Sequence, residues 1–378
     1  MMRVAIIHPW MPEYRIGFFV NLKSRLLELG IELDVFFGEP ESDWKLRNDQ
    51  SELDFGKMLP TKQIRFLGRT LLSKDISKID GIENYGLVIV EHAVRNLETY
   101  KLLFRGIPLA FWGHGRTYTQ RALPILESLK TLLAKKGSWF FAYTAGGADY
   151  LARKGYASDQ ITVLNNTIDT TELAEQLSRV TDEEVVKLRR QVLGEATDVA
   201  LYLGALDKSK RLDFLIQALD QVAASKPGFR LVVVGDGPER HKVELASSTR
   251  PWMYVAGSKL GAEKALYLRA ADVLTIPGRA GLVVIDSFCA QVPIVTTTDP
   301  YHPPEFEYLI AGRNALIADL VAADYSKAVL KGLDSAFAKA LKNGCSESAE
   351  KYSIDDFVEN FSQGILNFFK RSEKKTTN

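Results

Sequence analysis

The sequence predicts an α/β protein made of two doubly wound parallel sheets in tandem, and three observations predict it. Short apolar runs bounded by Gly, Pro or polar residues recur along both halves, stretches of helical period lie between them, and the polar stretch 171–197 separates the two series. Strands that read as continuous apolar runs are buried on both faces, as in parallel sheets covered by helices. The first half carries such runs at 4–8, 31–37, 87–91, 108–112, 139–143 and 161–164, with amphipathic stretches such as 18–29 and 123–135. The second half repeats the pattern at 199–203, 230–234, 253–256, 273–276, 293–297 and 314–317, with helical stretches such as 213–224 and 262–270.

The dividing stretch holds Thr181-Asp182-Glu183-Glu184, which reads as a helix N-terminus, and reaches Gly194 just before the next strand. The expected domains are therefore 1–180 and 181–352, with a terminal helix over 353–378. In that helix Phe357, Phe361, Ile365, Phe368 and Phe369 form one apolar stripe, which needs a partner. Crossing back to the first domain would supply one; the pattern equally allows packing on its own domain.

Composition removes several classes of function. With 46% apolar and 25% charged residues the chain is ordinary for a soluble protein, and a net charge of +1 gives no bulk attraction to nucleic acid. Cys289 and Cys345 have neither a CxxC partner nor a nearby histidine cluster, which argues against a zinc site or a disulfide framework. The apolar run after Met1-Met2-Arg3 is too short for a signal peptide, and no run is long enough to span a bilayer. The expected location is cytoplasmic.

Ligands of such sheets bind at the carboxyl ends of the strands, here expected in a cleft between two facing domains. Neither first strand-to-helix turn carries the dinucleotide pattern G-x-G-x-x-G: they read His8-Pro9-Trp10-Met11-Pro12 and Gly204-Ala205-Leu206-Asp207-Lys208. The phosphate loop ending in Gly-Lys-Ser/Thr is missing too. A different phosphate device remains. Pro277-Gly278-Arg279-Ala280-Gly281-Leu282-Val283 follows a strand and opens a helix, so the N–H groups of Gly281, Leu282 and Val283 should point at an anion. Asp286 lies one turn below Leu282, where its carboxylate would accept hydrogen bonds from ribose hydroxyls. A diphosphate beside a ribose describes a nucleotide sugar; a buried turn with a satisfied acid is the plainer alternative.

These segments resemble the large family 4 of retaining GT-B glycosyltransferases (glycosyl transferases group 1). The resemblance covers most of the second half. Gly204-Ala205-Leu206-Asp207-Lys208-Ser209-Lys210-Arg211 is similar to the loop whose basic residues hold the donor diphosphate. Val233-Val234-Gly235-Asp236-Gly237-Pro238 is similar to a second strand-turn segment, and Gly257-Ser258-Lys259-Leu260 to the loop against the nucleobase. The stretch 281–295 resembles the donor helix and its following strand. In the first half Trp112-Gly113-His114-Gly115 and Asn165-Asn166-Thr167-Ile168-Asp169 resemble a subgroup, as does Pro304-Glu305-Phe306-Glu307.

The resemblance implies a GT-B fold and transfer of a sugar from a UDP-sugar, a substrate and not a cofactor, with retention of configuration. His114 and Lys210 are the implied catalytic residues; Gly204, Arg211, Lys259, Leu260, Gly278, Arg279, Gly281, Leu282, Val283 and Asp286 are the implied donor site. Three positions depart from the pattern. Ala205 stands where relatives carry an arginine, and Gly278 and Asp286 where they carry glutamates; Asp286 keeps the charge with a shorter reach, and Arg279 could restore the charge lost at Ala205. A cationic clamp makes a metal unnecessary, and none is expected.

For the acceptor side, Glu13 and Arg15 follow the first strand and are expected at the binding face, with a surface salt bridge the alternative for Arg15. The acceptor is expected to be a saccharide or a lipid-linked molecule. Between Arg95 and Lys136 eight basic residues stand against Glu98 and Glu127, an excess that could rest on anionic lipid at the inner face of the membrane or simply coat solvated helices. Two other readings stay open: a nucleotide-sugar epimerase or hydrolase of the same double fold, and an inactive nucleotide-binding partner protein.

Overall fold

The computed structural model describes residues 2–40, 51–66, 68–194 and 196–376. The chain divides into two compact units: Met1–Ile168 together with Ile354–Asn378, and Asp169–Ser353.

In the first unit the strands are β1 (Met2–His8), β2 (Ile31–Phe37), β3 (Gly56–Met58), β4 (Thr61–Phe66), β5 (Arg69–Lys74), β6 (Leu87–Glu91), β7 (Leu109–Gly113), β8 (Trp139–Ala142) and β9 (Ile161–Val163). Seven form one parallel sheet in the order β3-β2-β1-β6-β7-β8-β9, while β4 and β5 pair as an antiparallel hairpin. Alternation along β1 feeds two cores. Val4 and Ile6 face one, Ala5 and Ile7 the other, and all four are buried.

The helix Ile16–Glu28 and the terminal helix Ile354–Thr376 cover the first face. Phe357, Phe361 and Ile365 of the apolar stripe are fully buried there, and the Phe361 ring stacks on Phe141 of β8 at 4.5 Å and 5°. Gly364 permits that approach, since a Cβ there would sit 2.5 Å from the Phe141 ring. The helices Leu97–Phe104, Pro124–Ala134 and Ala145–Arg153 cover the other face through Leu102, Leu133 and Leu151.

The second unit holds β10 (Asp198–Leu203), β11 (Phe229–Val234), β12 (Met253–Gly257), β13 (Val273–Thr275), β14 (Ile294–Thr297) and β15 (Ala315–Ala318). They form a parallel sheet in the order β12-β11-β10-β13-β14-β15. The order reverses at β10, whose neighbours are β11 on one side and β13 on the other, so the loops after β10 and β13 lie side by side at a topological switch point.

The division between the units falls earlier than the sequence suggested. The helix Thr170–Arg179 belongs to the second unit, not to a first domain reaching 180. The helix, with Leu173 and Leu177 buried, packs against the helices Gly261–Arg269 and Val283–Ala290 of that unit, which explains this. The helix start read at Thr181 is present as a complete capping box: the hydroxyl accepts from Glu184 N–H, and the Glu184 carboxylate accepts from Thr181 N–H. No helix among the described residues is long and apolar enough to cross a membrane.

Candidate functional site

The loops at the carboxyl ends of β10, β11 and β12 are hydrogen-bonded to one another through their backbones. Gly204 N–H donates to Val234 O (3.0 Å), Leu206 N–H to Asp236 O (2.8 Å) and Gly235 N–H to Gly257 O (2.9 Å). Three glycines make this possible. Gly204, Gly235 and Gly237 have φ of +146°, +152° and +152°, a region that side chains avoid. A Cβ on Gly235 would lie 1.9 Å from Gly204 O, and one on Gly237 would lie 2.6 Å from Leu206 O.

The loop after β13 is laid onto the loop after β10. Arg279 N–H donates to Ser209 O (3.1 Å), and Lys210 Nζ donates to Arg279 O (2.6 Å). Gly278 is what lets them meet, because a Cβ would fall 2.3 Å from Ser209 O and 2.7 Å from Lys210 Cα. This accounts for the missing glutamate: no side chain fits at 278 while the 208–210 turn keeps this position. That turn is held by Asp207, whose carboxylate accepts from Ser209 N–H (2.8 Å). Arg211 follows in the left-handed conformation (φ +56°), opens the helix Leu212–Ser225 and pairs through Nε with the buried Asp299.

At the start of the helix Val283–Ala290 the first amides to find carbonyls are Val284, bonded to Gly281 O (2.9 Å), and Ile285, bonded to Leu282 O (2.9 Å). The N–H groups of Gly281, Leu282 and Val283 precede them, as helix-start donors do. Their placement is fixed from behind. Ala280 N–H donates to His302 Nδ1 (3.1 Å), and Nε2 of the same ring, 2.9 Å from Thr297 O, must then carry the proton. Thr297 Oγ1 donates to Pro277 O (2.6 Å), and Pro303 packs 3.3 Å from the Cβ position of Gly281. Burial lowers the His302 pKa and the cations Lys210 and Arg211 add to the effect, against the opposing pull of its bond to Thr297 and of Asp299.

Asp286 sits one turn into this helix, 8% exposed, with Oδ1 3.0 Å from Lys264 Nζ. Burial pulls the Lys264 pKa down, yet the carboxylate outweighs it and the pKa is raised. Lys259 and Leu260 lie after the edge strand β12, two strands from β13's neighbour β10. Lys259 Nζ bonds Glu263 (2.6 Å), and Leu260 is exposed. The structure thus collects Gly204, Lys210, Arg211, Gly278, Arg279, Gly281, Leu282, Val283 and Asp286 on the β10 and β13 loops and the helix they open. Asp299, His302, Thr297 and Lys264, which hold these residues, were not singled out from the sequence. Their only signal there is polar residues at and just beyond the end of the strand 293–297 and on the helical stretch 262–270.

In the first unit His114 follows β7, with Gly115 in the left-handed conformation (φ +75°). Gly147 is needed beside it, because a Cβ there would lie 2.5 Å from His114 O. The ring packs on Tyr143 at 4.7 Å. The residue is exposed. Desolvation lowers its pKa, with Lys130, His92 and Arg15 adding to the effect, and the imidazole is neutral at pH 7. His8 is buried, its Nδ1 2.5 Å from Trp10 O, and burial first of all pushes its pKa down to about 3.

Arg15 corrects the expectation of an acceptor contact. It is 2% exposed, donates through Nη2 to Asn166 Oδ1 (2.5 Å) and through Nη1 to Thr167 O (3.3 Å), and lies 5.3 Å from the ring centres of Trp112 and Phe357. The alternative of a surface salt bridge fails as well, since the guanidinium is enclosed by aromatic rings. Glu13 in the same turn is exposed.

A parallel sheet whose switch-point loops carry a lysine, an arginine and a helix N-terminus has the kind of groups that can hold a phosphorylated ligand. Residues 197–335 match the model of the family Glycosyl transferases group 1. Over 306 residues, 74% of this chain and 75% of the relative, the sequence is 25% identical to the alpha-monoglucosyldiacylglycerol synthase of Acholeplasma laidlawii. The crystal structure of Anabaena HepE in complex with UDP superposes with a TM-score of 0.69 at 12% identity, covering 97% of this chain and 100% of that one. A putative UDP-N-acetylglucosamine 2-epimerase of Listeria monocytogenes gives 0.65 at 15% identity, covering 98% and 97%. The fold is therefore GT-B, and the protein is a glycosyltransferase of that type. Its stretch 197–335 is a domain of glycosyl transferases group 1.

Proposed function

We propose that the chain transfers a hexose from a UDP-sugar, with retention at the anomeric carbon, to a hydroxyl of a saccharide or lipid-linked acceptor. The observation that carries this reading is the docking of the Gly278–Arg279 turn on the Ser209–Lys210 turn beside the start of the helix Val283–Ala290. Lys210, Arg211 and the N–H groups of Gly281, Leu282 and Val283 there share one short arc of the sheet edge. In the transfer, the bond between the anomeric carbon and the diphosphate oxygen breaks, and negative charge grows on the leaving group. Donors already fixed in place stabilise that charge without rearrangement. The acceptor oxygen bonds to the anomeric carbon, and its proton passes to an oxygen of the leaving phosphate.

The bond from Lys210 Nζ to Arg279 O fixes where this ammonium sits. Asp299 holds Arg211 and His302 holds Ala280, so both are positioning residues. Asp286 would accept from the ribose through the part of its carboxylate turned away from Lys264, and Lys259 and Leu260 would border the base. His114, neutral and polar, would contact the donor sugar. UDP and UDP-glucose are the ligands in the complexes of Anabaena HepE, and the Acholeplasma relative is by name a glucolipid synthase, which favours UDP-glucose and a glycerolipid as first trials.

Product analysis tests the reading. UDP-glucose incubated with diacylglycerol or with oligosaccharides should give an α-linked glucoside and UDP. A β-linked product would overturn retention. Release of free sugar, or its conversion to an epimer, independently of any acceptor would favour the hydrolase or epimerase reading instead.

A further inference from the structure

The helix Pro124–Ala134 presents its apolar residues in two directions. Leu133 and Ala134 are buried against the sheet, and the Lys130 carbonyl lies 2.9 Å from the buried His92 Nε2. On the other side Ile125, Leu129 and Leu132 are 72%, 48% and 58% exposed, and Leu123 just before the helix is 47% exposed. Positions 125, 129 and 132 share one helical face, so this is a stripe and not scatter. Isolated exposed leucines need no explanation, but a contiguous apolar stripe does.

The charges say what covers it. Glu127, the one acid of this helix, is turned inward: it accepts from Thr117 N–H (3.2 Å) and Thr117 Oγ1, with Lys130 Nζ 3.6 Å away. The outward face is therefore left without a negative charge. Exposed Arg121 precedes the stripe, exposed Lys135 and Lys136 follow it, and among the described residues none of the three forms an ion pair. The neighbouring helix Leu97–Phe104, which covers the same sheet face, ends on Phe104, 94% exposed. An apolar stripe with cations at both ends and no acid matches a surface with an oily interior and anionic headgroups.

We propose that the face formed by Leu123, Ile125, Leu129 and Leu132, flanked by Arg121, Lys135 and Lys136, docks the first unit on an anionic lipid bilayer. The helix lies in the headgroup region without crossing. Each basic side chain near such a surface strengthens binding about fivefold, so three together contribute on the order of a hundredfold. This inference does not rest on the donor site.

The test is co-sedimentation of the full chain, without nucleotide, with phosphatidylcholine vesicles and with vesicles also containing phosphatidylglycerol. Binding should favour the anionic vesicles and weaken with salt. Lys135→Gln/Lys136→Gln should lose on the order of tenfold or more. Leu129→Gln/Leu132→Gln should lose binding even at low salt, and both variants should melt with the wild type because the altered side chains point outward. Failure to bind anionic vesicles, or binding that both variants retain, overturns the proposal. So does a wild-type dimer in solution that Leu129→Gln/Leu132→Gln converts to monomer, because the stripe would then cover a second copy of the chain.

Discussion

The two units use the carboxyl ends of their strands differently. In the second, the loops after β10, β11, β12 and β13 are stitched together backbone to backbone. A Cβ at Gly235, Gly237 or Gly278 would collide with the facing backbone, and Gly204 has a φ of +146° that side chains avoid. In the first, the turn after β1 is packed by side chains: Arg15 among Trp112, Phe18, Tyr143 and Phe357, and His8 against Trp10 O. Backbone stitching brings helix-start amides, a lysine and an arginine onto neighbouring loops. Side-chain packing consumes the polar groups internally. The proposed donor chemistry accordingly falls to the second unit, and the polar residues of the first must be judged one at a time.

Substitutions can break this contrast. The largest effect is expected at Gly235, where a Cβ would collide with Gly204 O at 1.9 Å in a backbone region that side chains avoid. Gly235→Ala should cost about 3 kcal/mol or more in urea unfolding and abolish UDP binding. Gly257→Ala is the control, since φ is +73° but no atom lies within 4 Å of the Cβ; about 1 kcal/mol is expected there. Equal costs at the two sites would mean that close backbone approach is not what the glycines serve.

Arg15→Met in the first unit removes two hydrogen bonds but strands no buried carboxylate, since the partners are an amide and a carbonyl oxygen. A loss of about 1–3 kcal/mol is expected, with UDP affinity unchanged. A tenfold weaker UDP complex would place Arg15 in the donor machinery after all.

Much of this was legible in advance, and the reason differs by region. The two strand series, the capping box at Thr181 and the stripe from Phe357 to Phe368 follow from periodicity and local chemistry, which the linear sequence displays directly. The glycines and cations of these loops stood out through their resemblance to a known family, and the structure adds why Gly235, Gly237 and Gly278 are glycines: a Cβ there would collide with the facing backbone. The hairpin of β4 and β5 was not, because Thr61–Phe66 and Arg69–Lys74 are largely polar and lack an apolar alternation. Arg15 misled because a charged residue after a strand reads as surface, and the rings that enclose it come from positions as distant as Phe357. His302 and Asp299 escaped for the same reason: each acts on a loop some twenty or more residues away, a pairing that no local pattern encodes.

A smaller effect should appear with pH. His302 is neutral and accepts the Ala280 N–H, and its pKa is lowered from 6.5 by burial. A depressed histidine pKa means that the unfolded chain binds the extra proton first. The stabilisation is complete above pH 6.5 and is lost as pH falls through the folded value. UDP affinity should therefore drop only below pH 6.5, at the lowered pH where His302 takes up its proton and the Ala280 bond is displaced. His302→Asn should flatten that dependence; an unchanged profile would remove the histidine from the account. His8, pushed down to about 3, should lower global stability over the window from pH 6.5 to about 3 without a separate effect on UDP affinity.

The most direct measurement is calorimetric titration of UDP into the wild type, Lys210→Ala and Arg15→Met. The account predicts a wild-type complex that Lys210→Ala weakens by one to two orders of magnitude, as loss of a charged hydrogen-bond donor to phosphate should. It predicts that Arg15→Met leaves the affinity alone. A UDP complex insensitive to Lys210→Ala, or no complex at all, would contradict the claim that the stitched loops of the second unit are the donor site.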